Sequence, residues 1–190
     1  VGSTTAFASI ATDAGTAGST AVDGGAIETT GTQTFNDQIS FGSDASLTAS
    51  AVVFNASAEG NGNSLEILGN AQLGNSASDT ASGFAALSIS GTTGMYMSTV
   101  SSFGTQIYGD ATGTDTITLH SNAALTASTV TFNAPIAGAA HTLDISGNAV
   151  FGNEGSDTAT GLSSLSVSGT TNINTTAITS TGTQAYGDAT

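Results

Sequence analysis

Lysine, arginine, cysteine and tryptophan are all absent from this chain of 190 residues. Its 14 aspartates and glutamates give a formal net charge of −14, and two histidines are the only side chains that could carry a positive charge. Binding to nucleic acids and to anionic membranes depends on lysine and arginine, so we expect neither partner. The lack of cysteine excludes disulfides and thiolate metal sites. No apolar run reaches the length of about 18 residues that a membrane-spanning helix needs, so we also expect no membrane insertion.

A long internal repeat is the strongest feature that the sequence does contain. Leu65 to Thr93 reads LEILGNAQLGNSASDTASGFAALSISGTT, and Leu143 to Thr171 reads LDISGNAVFGNEGSDTATGLSSLSVSGTT, at a constant offset of 78. The same offset relates Ile39 to Ala56 with Ile117 to Ala134. Self-similarity at a fixed period indicates a repeat architecture, in which each unit buries its apolar face against its neighbours.

The triplet Gly-Thr-Gln marks the boundaries of the repeats. It begins at positions 31, 104 and 182, so the successive intervals are 73 and 78. The five-residue difference falls within 111–116, which we predict to be a loop inserted on the outside of the fold. We therefore interpret residues 1–190 as a single repeat array. Residues 1–30 would be the end of a preceding repeat, residues 31–108 the first repeat, and residues 109–190 a second, incomplete repeat.

Apolar residues alternate with small polar ones in many places, as in Leu125/Ala127 and Val130/Phe132. Period two predicts strands, and frequent β-branched residues, glycine and asparagine argue against helices. Recognisable strand starts fall at positions 39, 65, 87, 117, 143 and 165, at intervals of 26, 22, 30, 26 and 22. We therefore predict an all-β fold, a right-handed parallel β-helix or β-solenoid of about seven coils of 22–30 residues, with three coils in each 78-residue repeat.

Tandem β-sandwiches are the alternative fold, because a 78-residue unit with about seven short strands could form an immunoglobulin-sized domain. The sub-period near 26, the short strands and the lack of a tryptophan for the core favour the solenoid. In a solenoid, we expect matched positions such as Phe54 and Phe132, or Leu73 and Phe151, to occupy the same interior corner in different coils.

Asparagine and aspartate recur at matched positions after the strands. These residues tolerate turn conformations, and their side chains satisfy backbone groups in turns. We interpret eight of them as turn or ladder residues of the solenoid: Asn55 and Asn133, Asn70 and Asn148, Asn75 and Asn153, and Asp79 and Asp157.

The inserted segment from Asp110 to Asp115 is the best candidate for a cation site. Calcium takes several oxygen ligands, usually from clustered acids near a glycine bend, and this segment has an acid at each end and a glycine between them. We therefore predict a weak calcium site at Asp110 and Asp115 and no other cofactor. His120 and His141 have neither a cysteine nor a second histidine at ligand spacing, so we expect them at surface or turn positions.

A glycoside hydrolase would need two carboxylates about 5–10 Å apart. The candidate pairs are Asp110 with Asp115 and Glu154 with Asp157. A serine stands in place of Glu154 in the earlier repeat, whereas Asp157 recurs as Asp79, which indicates a turn role for the aspartate. We therefore assign no catalytic residues and expect no enzyme activity.

The phrases LDISGNAVFGN, LSVSGTT and TGTQAYGD, each of which has a counterpart elsewhere in the chain, carry a resemblance over residues 18–190. The chain resembles the β-strand repeats of large secreted bacterial surface proteins, of the filamentous-haemagglutinin-like and autotransporter-adhesin type. The resemblance implies a right-handed parallel β-helix, export to the cell surface and an adhesive, matrix or spacer role. No secretion domain, membrane anchor or capping segment is recognisable, so we expect an excerpt of a longer chain or a subunit that stacks on itself.

Three functions remain open from the sequence. The first is a structural or adhesive segment of an extracellular or cell-surface protein or filament, a rod that resists proteases and associates end to end with other copies of the repeat. The second is a module that binds neutral glycans or a host surface, with Tyr96, Tyr108 and Tyr186 as candidate stacking platforms. Tyr108 and Tyr186 are matched by Phe35, which favours packing for these two. The third is a β-helix enzyme acting on polysaccharides, which the lack of a matched carboxylate pair argues against.

Overall fold

The computed structural model describes residues 5–15 and 18–187, and every regular element in them is a β-strand. Parts of the repeat boundaries predicted above, residues 1–4, 16–17 and 188–190, lie outside the described residues. The strands are, in chain order, β1 (Ile10–Ala11), β2 (Ser19–Val22), β3 (Ala26–Glu28), β4 (Thr32–Phe35), β5 (Gln38–Phe41), β6 (Ala45–Phe54), β7 (Ala58–Glu59), β8 (Leu65–Leu73), β9 (Thr80–Phe84), β10 (Leu87–Ile89), β11 (Thr93–Met95), β12 (Thr99–Ser102), β13 (Thr105–Tyr108), β14 (Ile117–Leu119), β15 (Ala123–Phe132), β16 (Ile136–Ala137), β17 (Thr142–Phe151), β18 (Thr158–Leu162), β19 (Ser164–Val167), β20 (Thr171–Ile173), β21 (Ala177–Ser180) and β22 (Gln184–Tyr186).

These strands form three parallel ladders within one sheet. The first ladder joins β2, β5, β7, β9, β12, the N-terminal halves of β15 and β17, β19 and β22. The second joins β3, the N-terminal halves of β6 and β8, β10, β13, the C-terminal halves of β15 and β17, and β20. The third joins β1, β4, the C-terminal halves of β6 and β8, β11, β14, β16, β18 and β21. The backbone therefore winds as a three-sided parallel β-solenoid, and the predicted all-β solenoid fold is confirmed over tandem sandwiches, whose strands are antiparallel.

The solenoid has about nine turns, because the first ladder contains nine successive strands. At roughly 4.8 Å between neighbouring strands, nine turns extend about 43 Å. The prediction of about seven coils is wrong in number, because only some of the predicted intervals are single turns. Leu65 pairs with Leu87, so the interval between these two strand starts is one turn. The longer intervals cover one turn plus one further side, so Ile39 lies in the first ladder and Leu65 in the second.

The 78-residue repeat does not contain a whole number of turns. It has nine strands from β6 to β14, and β6 and β8 each span two ladders, so one repeat holds eleven ladder segments, or three and two-thirds turns. Matched positions consequently lie on different sides. The expectation that they share an interior corner is wrong, because Phe54 and Leu73 lie in the third ladder, whereas Phe132 and Phe151 lie in the second. The pairing between neighbouring turns is nevertheless the same in the two repeats, since β6 pairs with β8 in the same register as β15 pairs with β17.

Glycines allow β8 and β17 to bend from one ladder into the next. Gly69 has a φ of 139° and Gly147 a φ of 137°, a region that residues with a side chain rarely adopt. A Cβ atom at Gly69 would lie 2.0 Å from the carbonyl oxygen of Ala49 in the preceding turn, and one at Gly147 would lie 1.9 Å from that of Ala127. The corner therefore requires glycine both for its backbone conformation and for the close approach of the preceding turn.

The core is a stack of apolar side chains along the inside of the ladders. One interior row in the third ladder runs through Phe35, Phe54, Leu73, Met95 and Leu119, all of them buried. Burial of these rows and the continuous backbone ladders stabilise the fold. In residues 5–15 and 18–187, no helix has the length and apolarity to cross a bilayer.

Candidate functional site

The Gly-Thr-Gln triplets place a glutamine against the inside of the ladder. Gln106 is fully buried, and its Nε2 donates to the carbonyl oxygens of Val100 at 3.2 Å and, in the next turn, of Thr126 at 3.0 Å. Its Oε1 accepts a 3.0 Å hydrogen bond from the hydroxyl of Tyr108, which is also fully buried. Burial raises the pKa of Tyr108 far above its ordinary value of 10.0, so the hydroxyl remains a donor. This Gln-x-Tyr unit links two successive turns through a satisfied polar network.

The other two triplets vary this network in informative ways. Gln33 is equally buried and donates to the carbonyl oxygen of Thr48 in the next turn at 3.0 Å. Phe35 stands where the tyrosine would be, and the buried Oε1 of Gln33 has no hydrogen-bond partner. In the last described turn, the hydroxyl of Tyr186 donates to Oε1 of Gln184 at 2.9 Å, but both residues are exposed. The Oε1 atom therefore has a hydrogen-bond donor and is buried in Gln106, is buried without a donor in Gln33, and has a donor but is exposed to solvent in Gln184.

Asn70 and Asn148 lie at the corner where the strand passes into its next half. Oδ1 of Asn70 accepts a hydrogen bond from the backbone N–H of Thr92 at 3.0 Å, and Oδ1 of Asn148 accepts one from that of Thr170 at 2.9 Å. Each bond reaches the following turn. These two matched asparagines therefore accept a hydrogen bond from the same backbone position in both repeats.

Asn55 and Asn133 also lie in contact with a neighbouring turn, but their partners differ. Nδ2 of Asn55 donates to Oδ1 of Asn36 at 2.7 Å, and Oδ1 of Asn55 accepts from Nε2 of Gln72 at 3.3 Å. Nδ2 of Asn133 donates to the carbonyl oxygen of Gly109 at 3.3 Å. Asn55 thus belongs to a short side-chain ladder across three turns, whereas Asn133 bonds to backbone.

Asp79 and Asp157 each hold the turn that follows a long strand. Oδ2 of Asp79 accepts hydrogen bonds from backbone N–H groups at 3.0 and 3.1 Å, and Oδ2 of Asp157 accepts the matched pair at 2.9 and 3.1 Å. Asn75 and Asn153 supply the first N–H of each pair. The aspartate carboxylate therefore organises the same turn in both repeats.

The residues predicted as a calcium site lie in the loop between β13 and β14. The carboxylate of Asp110 accepts hydrogen bonds from the side chain and the backbone N–H of Thr112, and these bonds hold its pKa below the ordinary value. Oδ2 of Asp115 accepts a hydrogen bond from the backbone N–H of Asp110 at 3.4 Å, and Nδ2 of Asn153 donates to the carbonyl oxygen of Asp110 at 3.5 Å. Throughout the described part of the chain, no three His, Asp or Glu side chains are grouped closely enough to hold a metal. A calcium ion here would need backbone carbonyls or water for most of its ligands.

Small polar side chains form the outer face of the first ladder. One outward row runs through Thr80, Thr99, Ala124, Asp144 and Ser166, which pair in register from turn to turn. A second row, two positions further along each strand, contains the hydroxyl residues Ser101, Thr126 and Ser146. These two rows present hydroxyl groups and the carboxylate of Asp144, and Glu59 adds a second carboxylate to the same ladder.

A pair of stacked rings lies outside the third ladder. The rings of Tyr96 and His120 are 3.9 Å apart between centroids and inclined by only 3°. They follow β11 and β14, which are neighbours in the ladder, and the missing side chain of Gly94 leaves room beside them. His120 is exposed, and the sequence does not predict its contact with Tyr96 because the two residues are 24 positions apart. Of the other tyrosines suggested as stacking platforms, Tyr108 is fully buried and Tyr186 is 40% exposed.

A groove of about 340 Å³ opens beside the second ladder. Its polar lining includes Asp44, Ser46, Glu66 and Ser88, and Oγ of Ser46 donates to Oε2 of Glu66 at 3.3 Å. The carboxylates of Asp44 and Glu66 disfavour anionic ligands in this groove. Comparisons with models of protein families, with curated proteins and with solved structures found no match.

Proposed function

We propose that this chain is a structural and adhesive segment of an extracellular or cell-surface protein or filament, in which it acts as a protease-resistant rod. The observation that supports this role most directly is the uninterrupted parallel pairing through about nine turns. A solenoid of this kind is lengthened by adding turns, because each turn contacts only its neighbours. Length is therefore the property that the fold supplies most readily.

The composition supports exposure to a protease-rich environment. The chain has no lysine or arginine and hence no trypsin-type cleavage site. Most of the chain between β4 and β21 is held in strands or tight turns, and its fully exposed stretches, such as 75–78, 111–114 and 153–156, are short. Proteolysis concentrates at exposed loop tips, so a rod with only short ones resists degradation.

Electron microscopy of the purified chain at low and high salt tests the rod. We expect short rods that associate end to end, and more strongly at high salt, because salt screens the repulsion between chains of charge −14. Antibody labelling of intact cells of the source organism tests the location. Globular particles at every salt concentration would contradict the rod, and labelling only after permeabilisation would contradict the cell-surface role.

A module for neutral glycans is the second candidate, and the Tyr96–His120 stack at the surface favours it. Flat aromatic surfaces beside hydroxyl groups suit uncharged polar ligands, and the −14 charge disfavours acidic sugars. A glycan array distinguishes the two candidates: a glycan-binding module should bind neutral glycans and lose them on Tyr96→Ala. Binding that survives Tyr96→Ala would place the glycan elsewhere on the protein. If no glycan binds, the glycan-binding candidate is rejected and the structural rod is the remaining proposal.

A further inference from the structure

The groove beside the second ladder lies between two rows of outward side chains. It is lined by Ala45, Leu65 and Leu87, whose side chains are buried in the core, so their backbone forms its floor. The residues before and after each of these three point away from the core, because successive residues of a strand alternate. The groove extends from Gly25 to Thr105 across five successive strands of the ladder, or about 19 Å along the axis. Its elongated shape suits an extended chain.

Two carboxylates lie toward one end of this groove, Asp44 in one outward row and Glu66 in the other. One oxygen of Asp44 accepts a hydrogen bond from the backbone N–H of Ser64 at 2.8 Å, and one oxygen of Glu66 accepts one from the hydroxyl of Ser46 at 3.3 Å. The second oxygen of each carboxylate has no donor within the described part of the chain. Because the sequence contains no lysine or arginine, neither this chain nor a second copy of it can offer a basic side chain to these oxygens.

Large apolar side chains lie at the other end of the groove. Phe103 is 78% exposed. It directly precedes Gly104, whose Cβ position would be 3.9 Å from the Cβ atom of Ala86 in the groove lining. In the opposite row, the half-buried Ile107 follows Ser88 in the next turn. The surface therefore changes from acidic to apolar along the groove.

The other copies of the repeat show that the solenoid does not require these groups. At matched positions they have smaller or uncharged side chains, namely Thr30 and Thr181 for Phe103, Thr34 and Ala185 for Ile107, and Asn122 for Asp44. Asn122 makes the same turn contact as Asp44, since its Oδ1 accepts a hydrogen bond from the backbone N–H of Thr142 at 3.0 Å. A single exposed apolar residue is common on protein surfaces, but two of them beside a groove with two carboxylates indicate a binding surface.

We propose that this groove binds an extended peptide segment of a partner protein that carries a lysine or arginine and, three or four residues away, a large apolar side chain. The basic group lies between Asp44 and Glu66, and the apolar side chain packs on Phe103 and Ile107. Charge complementarity supplies specificity, and burial of the exposed aromatic ring supplies affinity. This proposal goes beyond the rod, because it concerns one side of five turns and involves no association between copies.

The spacing within the peptide follows from the geometry of the ladder. Asp44 and Glu66 lie in successive turns, and Phe103 lies two turns beyond Glu66. The acidic and apolar ends are therefore two to three turns apart, or roughly 10–14 Å. An extended chain advances about 3.3 Å per residue, so three or four residues cover this distance.

Selection from a displayed library of random peptides of about 12 residues, more than enough to span the groove, tests the proposal with the whole 190-residue protein as bait. We expect the enriched peptides to combine a basic and a large apolar residue at this spacing. A labelled synthetic copy of one of them should bind in fluorescence anisotropy, and replacement of its basic residue by glutamine should weaken binding by about tenfold or more. No enrichment, enrichment of peptides without a basic residue, or binding of a glucosamine oligomer in place of any peptide would overturn the proposal.

Protein variants locate the bound peptide. Asp44→Asn, Glu66→Gln and Phe103→Thr should each weaken its binding by about tenfold or more. These variants should fold, because asparagine and threonine already stand at the matched positions Asn122 and Thr181, and glutamine keeps a side-chain acceptor at position 66. Circular dichroism checks the folding of each variant.

Asp144→Asn is the matched control. Asp144 is the counterpart of Glu66 in the second repeat, but it lies in the first ladder, on another side of the rod. Its substitution removes the same charge as Glu66→Gln and should leave binding unchanged. Equal weakening by the two variants would show that net charge, and not the groove, attracts the peptide, and unchanged binding in all three groove variants would place the peptide elsewhere; either result would refute the proposal.

Discussion

Exchanging tyrosine and phenylalanine in the three Gln-x-aromatic units tests the reasoning about the buried network. Tyr108→Phe removes the hydroxyl that donates to Oε1 of Gln106 and leaves a fully buried acceptor without a partner. A buried polar group that loses its partner costs about 1–3 kcal/mol. For a chain of this size, each kcal/mol corresponds to roughly 2–4 °C in Tm, so we expect Tm to fall by about 2–12 °C.

The first unit allows the reverse experiment. Phe35→Tyr introduces a hydroxyl at the position from which Tyr108 reaches its glutamine, and it should satisfy the orphaned Oε1 of Gln33. The surroundings are alike, since the rings of Phe35 and Phe54 are 5.7 Å apart, as are those of Tyr108 and Phe132. Relief of the unsatisfied oxygen is offset in part by burial of the new hydroxyl, so we expect a net gain of about 1 kcal/mol.

Tyr186→Phe is the matched control, because the same hydrogen bond lies in an exposed turn. Water replaces the lost donor there, and the free energy of unfolding should change by less than about 0.5 kcal/mol. Thermal and urea unfolding followed by circular dichroism give the three values. The reasoning is refuted if Tyr108→Phe and Tyr186→Phe cost the same, or if Phe35→Tyr destabilises as much as Tyr108→Phe does.

Three further predictions concern the corner, the turn and alkaline pH. Gly147→Ala should lower the free energy of unfolding by more than about 2 kcal/mol, because the positive φ disfavours a residue with a side chain and the carbonyl oxygen of Ala127 would clash with the new Cβ atom. Gly155→Ala is the control, because no atom lies near its Cβ position, and it should be nearly neutral in urea unfolding. Asp157→Ala should lower the free energy of unfolding by about 1–3 kcal/mol, because two hydrogen bonds from backbone N–H groups are lost. Asp144→Ala, on the outer face, should lower it by less than about 0.5 kcal/mol. Equal effects of the two variants in thermal unfolding would contradict the turn role of Asp157. Burial raises the pKa of Tyr108 above its unfolded value of 10.0, so its contribution to stability is present below pH 10 and is lost as the pH rises beyond it. Unfolding should therefore begin above pH 10, together with the ultraviolet signal of tyrosinate. Ionisation of all three tyrosines without unfolding would count against this account.

The sequence predicts the class of fold but not the number of turns. Period-two alternation identifies strands, and a 78-residue repeat identifies stacking, which together are enough for a parallel solenoid. The number of sides in each turn cannot be predicted from the sequence, because short strands such as β3 and β7 contain too few apolar residues to show a period of two. A strand start at Leu87 followed by one at Ile117 looks like a single long coil, although the chain has moved on by a turn and one side.

The side-chain networks were predictable only in part. Asp79 and Asp157 stand at matched positions in polar turn sequence, so their place in turns follows from the repeat alone. Gln106 served only as a repeat marker, because a buried glutamine looks the same in sequence as an exposed one. Tyr96 and His120 become neighbours only when the length of their turn is known, and the inserted loop makes that turn one of the longest.

The mismatch between repeat and turn has a consequence for how a long array would meet its surroundings. Three and two-thirds turns per copy means that each copy is rotated by one side relative to the last. Only every third copy then faces the same direction, and three copies amount to eleven turns, or about 53 Å along the axis. A flat surface lying along such an array would contact one copy in three, whereas ligands arriving from all directions would each find a copy turned toward them. Duplication of one unit would thereby produce a fibre with no preferred side, and neighbouring fibres could not match every repeat in a regular lateral bundle.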